Sequence, residues 1–367
     1  MNDATTPTAT ASVSDDLSLS TQGTEGEAAP KLADHHEKPW LKTYERYGMN
    51  YHLPMPGDDI NLMNVFEKNF ERFGDSDVFV CMGSRITYRE LDLYSRQVAA
   101  YLQGLGLKKG DTVAVMMPNI LQYPVTMIGI LRAGLTLVNV NPLYTAHELE
   151  HQLTDAQVKA LFIVENFAHT YTAIGRQLVD HVVVCSIGDL MGTVKGAFIN
   201  TIVRYVKKAV PAWAIEGHIP FKQIIKQTSA SRYQRPSNIL GSDIAVLQYT
   251  GGTTGVAKGA MLTHTNLIAN MMQCQEFAKT VFPNEVENQY MIVALPLYHI
   301  FSFTACALLG INMGFTGVLI PNPRDVDGFV KELAKYKPVF FPAVNTLFNG
   351  LAHHAGFRAL DHSQLRL

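Results

Sequence analysis

Tyr249-Thr250-Gly251-Gly252-Thr253-Thr254-Gly255-Val256-Ala257-Lys258-Gly259 is the stretch on which the reading of this chain turns. It follows directly on Ala245-Val246-Leu247-Gln248, a short run with the character of a strand. Glycines without Cβ let successive backbone N–H groups turn toward an anion, threonine hydroxyls add donors, and Lys258 adds a full positive charge. The combination describes a phosphate cradle, whose candidate binding residues are Thr250, Gly251, Gly252, Thr253, Thr254, Gly255, Lys258 and Gly259. It is not the P-loop of nucleoside triphosphatases, because two residues separate Gly255 from Lys258 and a glycine follows the lysine. A second short strand, Ala260–Leu262, precedes the next helix, so the loop is expected at a hairpin tip rather than at a strand-to-helix turn.

Outward from this loop, strand and helix signals alternate. A helix starting at Leu62 presents Leu62, Val65, Phe66, Phe70 and Phe73 on one side. Thr87 with Glu90, and Thr145 with Glu148, have the spacing of capping boxes, and Gly104 and Gly106 close the helix that Thr87 opens. Thr112–Met117, Leu135–Val140, Ala160–Val164 and His181–Cys185 are apolar runs with little alternation, as expected for parallel strands covered on both faces. Beyond the polar connector from Lys226 to Asp243 the alternation resumes: Ile244–Tyr249, the loop, Ala260–Leu262, a helix from Thr265, Met291–Leu295, a helix near Phe303, Gly317–Ile320, a helix from Asp325, and Val339–Phe341. The fold class is α/β, with a tail over residues 1–38, a first α/β subdomain over 39–235, and a second over 236–367 that carries the phosphate loop.

At 367 residues, 47% hydrophobic and 17% charged, the chain has room for more than one compact unit. A formal net charge of -2 gives no overall pull toward nucleic acid, which is not among the expected partners. The 4 cysteines, Cys81, Cys185, Cys274 and Cys306, show no metal-site spacing and read as buried thiols of a reducing compartment. No metal ligands are assigned. The tail is rich in Thr, Ser, Ala and acidic residues and has no apolar core, so it reads as a disordered segment and not as a signal, and the body of the chain as cytoplasmic. From Asn288 to Pro323 there is no Asp, Glu, Lys or Arg, but Pro296, His299, Asn312 and Pro321 divide that stretch into strand, loop, helix and strand rather than a membrane span.

The loop wording closely resembles that of the adenylate-forming superfamily, which includes acyl-CoA ligases, firefly luciferase and the adenylation domains of peptide synthetases. Two positions depart from the commonest form: Gly252 where Ser is usual, and Ala257 where Pro is usual. A second block, Leu295-Pro296-Leu297-Tyr298-His299-Ile300-Phe301, resembles the family's aromatic-plus-histidine turn. The likeness runs from about Trp40 to Leu367, through Met117-Pro118-Asn119, Asn139-Val140-Asn141-Pro142-Leu143-Tyr144 and Asn322-Pro323-Arg324-Asp325, and is strongest with bacterial long-chain fatty-acid CoA ligases.

The resemblance implies an N-terminal domain of two stacked sheet-and-helix subdomains, a loop that holds the β- and γ-phosphates of ATP, and His299 as a catalytic residue near the substrate carboxylate. It implies ATP, Mg²⁺ and coenzyme A as cofactors and co-substrates. The mechanism it implies is attack of a carboxylate oxygen on the α-phosphorus of ATP with pyrophosphate leaving, after which the CoA thiol takes the acyl group and releases AMP. Ligases for other carboxylic acids share the loop, and a non-catalytic nucleotide- or lipid-binding fragment is the reading from a different class. The family's Tyr-Gly-x-Thr-Glu stretch, ribose-binding Asp and late catalytic lysine are expected after Leu367, so the C-terminal part is expected to be missing and the chain by itself inactive. The expected partners are fatty acid, ATP and CoA, with a homodimer as a further candidate. Phe198, Ile199, Ile202, Val203, Val206 and Val210 fall on one face of a helix over 194–210 edged by Lys195, Arg204, Lys207 and Lys208. Such a helix is a candidate contact with an anionic membrane, placing the protein at its inner face.

Overall fold

The computed structural model describes residues 38–250, 257–282 and 286–367. The expected tail, apart from Lys38, and residues 251–256 of the glycine-threonine loop lie outside the described residues.

The strands are β1 (Asp77–Cys81), β2 (Ser84–Thr87), β3 (Thr112–Met116), β4 (Thr136–Asn139), β5 (Ala160–Val164), β6 (His181–Cys185), β7 (Ile219–Pro220), β8 (Ile244–Thr250), β9 (Lys258–Thr263), β10 (Tyr290–Val293) and β11 (Thr316–Leu319). They form a seven-stranded sheet, β7-β6-β5-β3-β4-β8-β9, and a four-stranded sheet, β10-β11-β1-β2. Pairing is parallel except at β8–β9 and β1–β2, which are antiparallel edge hairpins. Both sheets draw strands from either side of residue 235.

β3 to β6 are buried along nearly their whole length, which explains their unbroken apolar runs. One apolar core joins the two sheets: Val115 and Leu137 from the larger, Phe79 and Val293 from the smaller, with Phe66, Leu91 and Ile128 from helices between them. Each such side chain, fully withdrawn from water, contributes about 1.5–3 kcal/mol. The outer faces have their own clusters, around Leu149 and Ile163 on the larger sheet and around Val318 and Phe329 on the smaller.

Local sequence rules account for the helix starts. Helix Leu62–Phe73 buries all five residues of its expected stripe. Thr87 and Thr145 each accept an N–H from the glutamate three residues on, and that carboxylate returns to the cap backbone. The charge-free stretch resolves into β10, a turn, a helix with π-type winding over Phe303–Leu308, and β11. Among the described residues no helix is long and apolar enough to cross a membrane. Val339–Phe341, expected as a strand, makes only an isolated bridge, Phe340 to Met291. Pro338 and Pro342 flank it, and proline has no N–H to extend a ladder.

Candidate active site

The β8–β9 hairpin brings the two ends of the glycine-threonine loop together: Thr250 and Lys258 are partners on its last described rung, and both side chains are exposed. Gly259 lies opposite Tyr249, where an added Cβ would stand 2.9 Å from the tyrosine ring, so the close approach of the two strands requires glycine there. The Tyr249 hydroxyl donates to Asp155 at the end of helix Ala146–Asp155, which fixes the hairpin to the body of the sheet. Burial, reinforced by that carboxylate, raises the tyrosine pKa. Of the predicted phosphate-binding residues, Thr250, Lys258 and Gly259 are placed by the structure, whereas Gly251, Gly252, Thr253, Thr254 and Gly255 lie outside the described residues.

His299 stands at the end of the turn that follows β10. Its carbonyl accepts the Phe303 N–H at 2.8 Å, making it the cap of the helix that begins at Ile300. The imidazole leans on the ring of Tyr298, with centroids 4.7 Å apart. Although its side chain reaches the surface, partial desolvation lowers its pKa, which favours the neutral ring as a proton acceptor near pH 7.

Buried amides tie this turn to the larger sheet. Asn119, just after β3, donates to the carbonyls of Val293 and Leu295 and accepts the N–H of Leu297, each at 2.9 Å. Gln248 in β8 donates to the Tyr298 carbonyl at 3.0 Å and accepts from Asn139 of β4 at 3.2 Å. The Tyr123 hydroxyl lies 2.7 Å from Asn139 Oδ1 and 2.9 Å from the Leu297 carbonyl. Sequence reading passed over these roles. The signal was there for Gln248, a lone amide in an otherwise apolar strand, since a buried polar side chain needs a partner.

A cleft of about 790 Å³ opens where strands of both sheets end. Asn119 after β3, Leu143 after β4, Phe167 after β5, Tyr298 after β10 and Arg324 after β11 all line it. Ligands of open α/β sheets bind outside the carboxyl ends of strands, and this volume lies within the usual 300–1,000 Å³ of ligand pockets. Among the described residues there is no group of three or more His, Cys, Asp or Glu that could hold a metal ion.

Helix 194–210 differs from the expectation of a single apolar face. Regular winding covers Thr193–Thr201, and Ile202–Val206 widens to π-type turns, which shifts the later residues round the axis. Ile199 and Val203 line the cleft, while Val194, Phe198, Tyr205 and Val206 are exposed.

The family model described as "AMP-binding enzyme" matches residues 66–367. The chain belongs to the AMP-binding enzyme family. It is 48% identical over 310 residues to a long-chain-fatty-acid–CoA ligase of Escherichia coli O157:H7, covering 84% of this chain and 54% of that protein. A ligase of the same name from Bacillus subtilis is 32% identical over 331 residues, covering 90% of this chain and 58% of the relative. The chain thus spans about half the length of the curated relatives it matches. Among solved structures, an anthranilate CoA ligase in complex with anthranoyl-AMP superposes with a TM-score of 0.70 at 20% identity, over 85% of this chain and 54% of that one. A long-chain-fatty-acid–CoA ligase from Archaeoglobus fulgidus gives 0.64 at 22% identity, over 86% and 59%. These likenesses establish the fold that this chain shares with them.

Proposed function

We propose that this chain forms the ATP-gripping part of a long-chain fatty-acid CoA ligase, which makes an acyl-adenylate and passes the acyl group to CoA. The observation that carries this reading is the mouth of the β8–β9 hairpin, where Thr250 and Lys258 face each other in the open at the carboxyl end of β8. Lys258 supplies positive charge to the β- and γ-phosphates, and the loop amides hold pyrophosphate as it leaves. His299 sits beside the acid's carboxylate, neutral and with one ring N–H to donate to it. Mg²⁺ accompanies the nucleotide as a counter-ion. Little covalent chemistry falls to the protein; orientation and charge stabilisation account for most of the acceleration. The relatives' names support a long acyl chain as substrate, and the mostly apolar cleft suits an amphiphilic acid. We also assign helix 193–206, with its exposed Phe198 and Tyr205, to contact with an anionic membrane on the cytoplasmic side.

The test is acid-dependent ATP–pyrophosphate exchange by the product of the complete reading frame, with palmitate and benzoate compared. Palmitate is expected to be preferred, and Lys258→Met to lower kcat/KM for ATP about 100-fold, the usual effect of removing one donor to developing charge. Unchanged exchange by the variant, or a preference for benzoate, would refute the assignment.

A further inference from the structure

We propose that Asn119, Tyr123 and Gln248 are positioning residues that set the His299 turn against the mouth of the β8–β9 hairpin, an inference that rests on the functional reading of His299 and Lys258 given above. Asn119 and Tyr123 come from one side of the molecule and reach Val293, Leu295 and Leu297 on the other, across some 174 to 178 residues of sequence. Gln248 is two residues before Thr250 in β8 and holds the carbonyl of the residue preceding His299. The half of the site that meets the phosphates and the half that carries the histidine are therefore joined by one line of side chains.

Three features argue that this line serves placement more than stability. Asn119, Asn139 and Gln248 are only 2–5% exposed, and an amide that deep adds little net stability while being costly if left unpaired. Apolar side chains would fill the same space, but only directional donors fix which carbonyl lies where. Finally, the line from Leu297 O through Tyr123, Asn139 and Gln248 to Tyr298 O has four contacts and three protons to fill them, one each from the hydroxyl and the two amides. Whichever way the amides are turned, one contact is shared or weak. In the orientation described it falls at Tyr123, whose single proton serves both Asn139 and Leu297.

Gln248→Met keeps the length of the side chain and frees the Tyr298 carbonyl; Tyr123→Phe keeps the ring and frees the Leu297 carbonyl. The first readout is NMR of the 367-residue chain carrying ¹³C-labelled histidine, with the His299 signal assigned from His299→Gln. In both variants the His299 ring signal is expected to move, while that of His218, bonded to Ile215 beside β7, stays in place. A His299 signal that stays put in the folded variants overturns the proposal, and should Gln248→Met not fold, Tyr123→Phe decides alone.

The second readout is exchange by the product of the complete reading frame. Loss of placement should lower kcat about tenfold or more with KM for ATP within about threefold, whereas a merely structural defect would leave both intact in the folded fraction. A rise in KM without a fall in kcat also counts against the proposal. If His299→Gln keeps full exchange although the His299 signal moves in the other variants, the functional reading of His299 fails and the positioning stands.

Discussion

His264, 2% exposed, lies beneath the first turn of helix Leu62–Phe73, where its Nδ1 accepts the Leu62 N–H at 3.3 Å. Burial lowers its pKa from 6.5 to about 4, against the smaller pull of Asp243 in the other direction. Between those two pH values the unfolded chain binds a proton that the folded chain refuses, so stability is full above about 6.5 and falls as the pH drops toward about 4. At about 1.4 kcal/mol per pH unit, the loss across the window is about 3 kcal/mol. His264→Asn can still accept the N–H but does not titrate, so the pH dependence of its urea-unfolding free energy should be shallower through this window. Parallel profiles for the two proteins would show that the histidine's burial does not govern acid sensitivity. At this scale the sequence was informative about residues whose role is written in their type, such as the capping Thr87 and Thr145. For Gln248 it signalled that a buried amide needs a partner but not which, and for Asn119 it gave no such signal, since its partners lie 174 to 178 residues on.

Among the elements, the helix through residues 193–206 departs most from the sequence reading. Gly188 and Gly196 cross so closely that a Cβ on Gly196 would lie 2.2 Å from the Gly188 carbonyl oxygen, which seats the helix tightly on the loop after β6. Lys195 donates inward to the Met82 carbonyl, and Arg204 binds the buried Glu165, so neither is presented freely to a membrane. Lys207 and Lys208 are exposed near the apolar ridge of Val194, Phe198, Tyr205 and Val206. Each lysine near an anionic bilayer contributes about 1 kcal/mol, so reversing both charges should weaken binding to vesicles containing phosphatidylglycerol by at least about tenfold. Co-sedimentation that is the same for Lys207→Glu/Lys208→Glu and the parent chain would reject the membrane role. A period of 3.6 residues predicted one apolar face; packing divides it, turning Ile199 and Val203 to the cleft and leaving Phe198 and Val206 outside with Val194 and Tyr205.

For the molecule as a whole, the shared core matters more than the order of elements. β1 and β2 leave the first half of the sequence to join β10 and β11, while β8 and β9 leave the second half to join β3 to β7. Because helices between the sheets contribute to one apolar cluster with both, neither sheet keeps its core without the other. Trp213, packed on the outer cluster of the larger sheet, is a local probe once Trp40 is replaced by Phe. Its fluorescence and the far-ultraviolet circular dichroism should follow one urea transition. Two separated transitions would instead mark independent units, as a division near residue 235 would require.

The sequence by itself determined the α/β class, most helices and strands, and the hairpin that carries the glycine-threonine loop, because turn signals, capping chemistry and strand burial act over a few residues. Only the tertiary structure decided which strands share a sheet, which face of helix 193–206 is wet, and how His299 is tied to β8. Those depend on hydrogen bonds and packing between residues distant in sequence, such as Gln248 with Tyr298 or Asn119 with Leu297, for which a single chain carries no local signal. The partners of Asn119, Tyr123 and Gln248, in the turn before His299, could not be known before the fold.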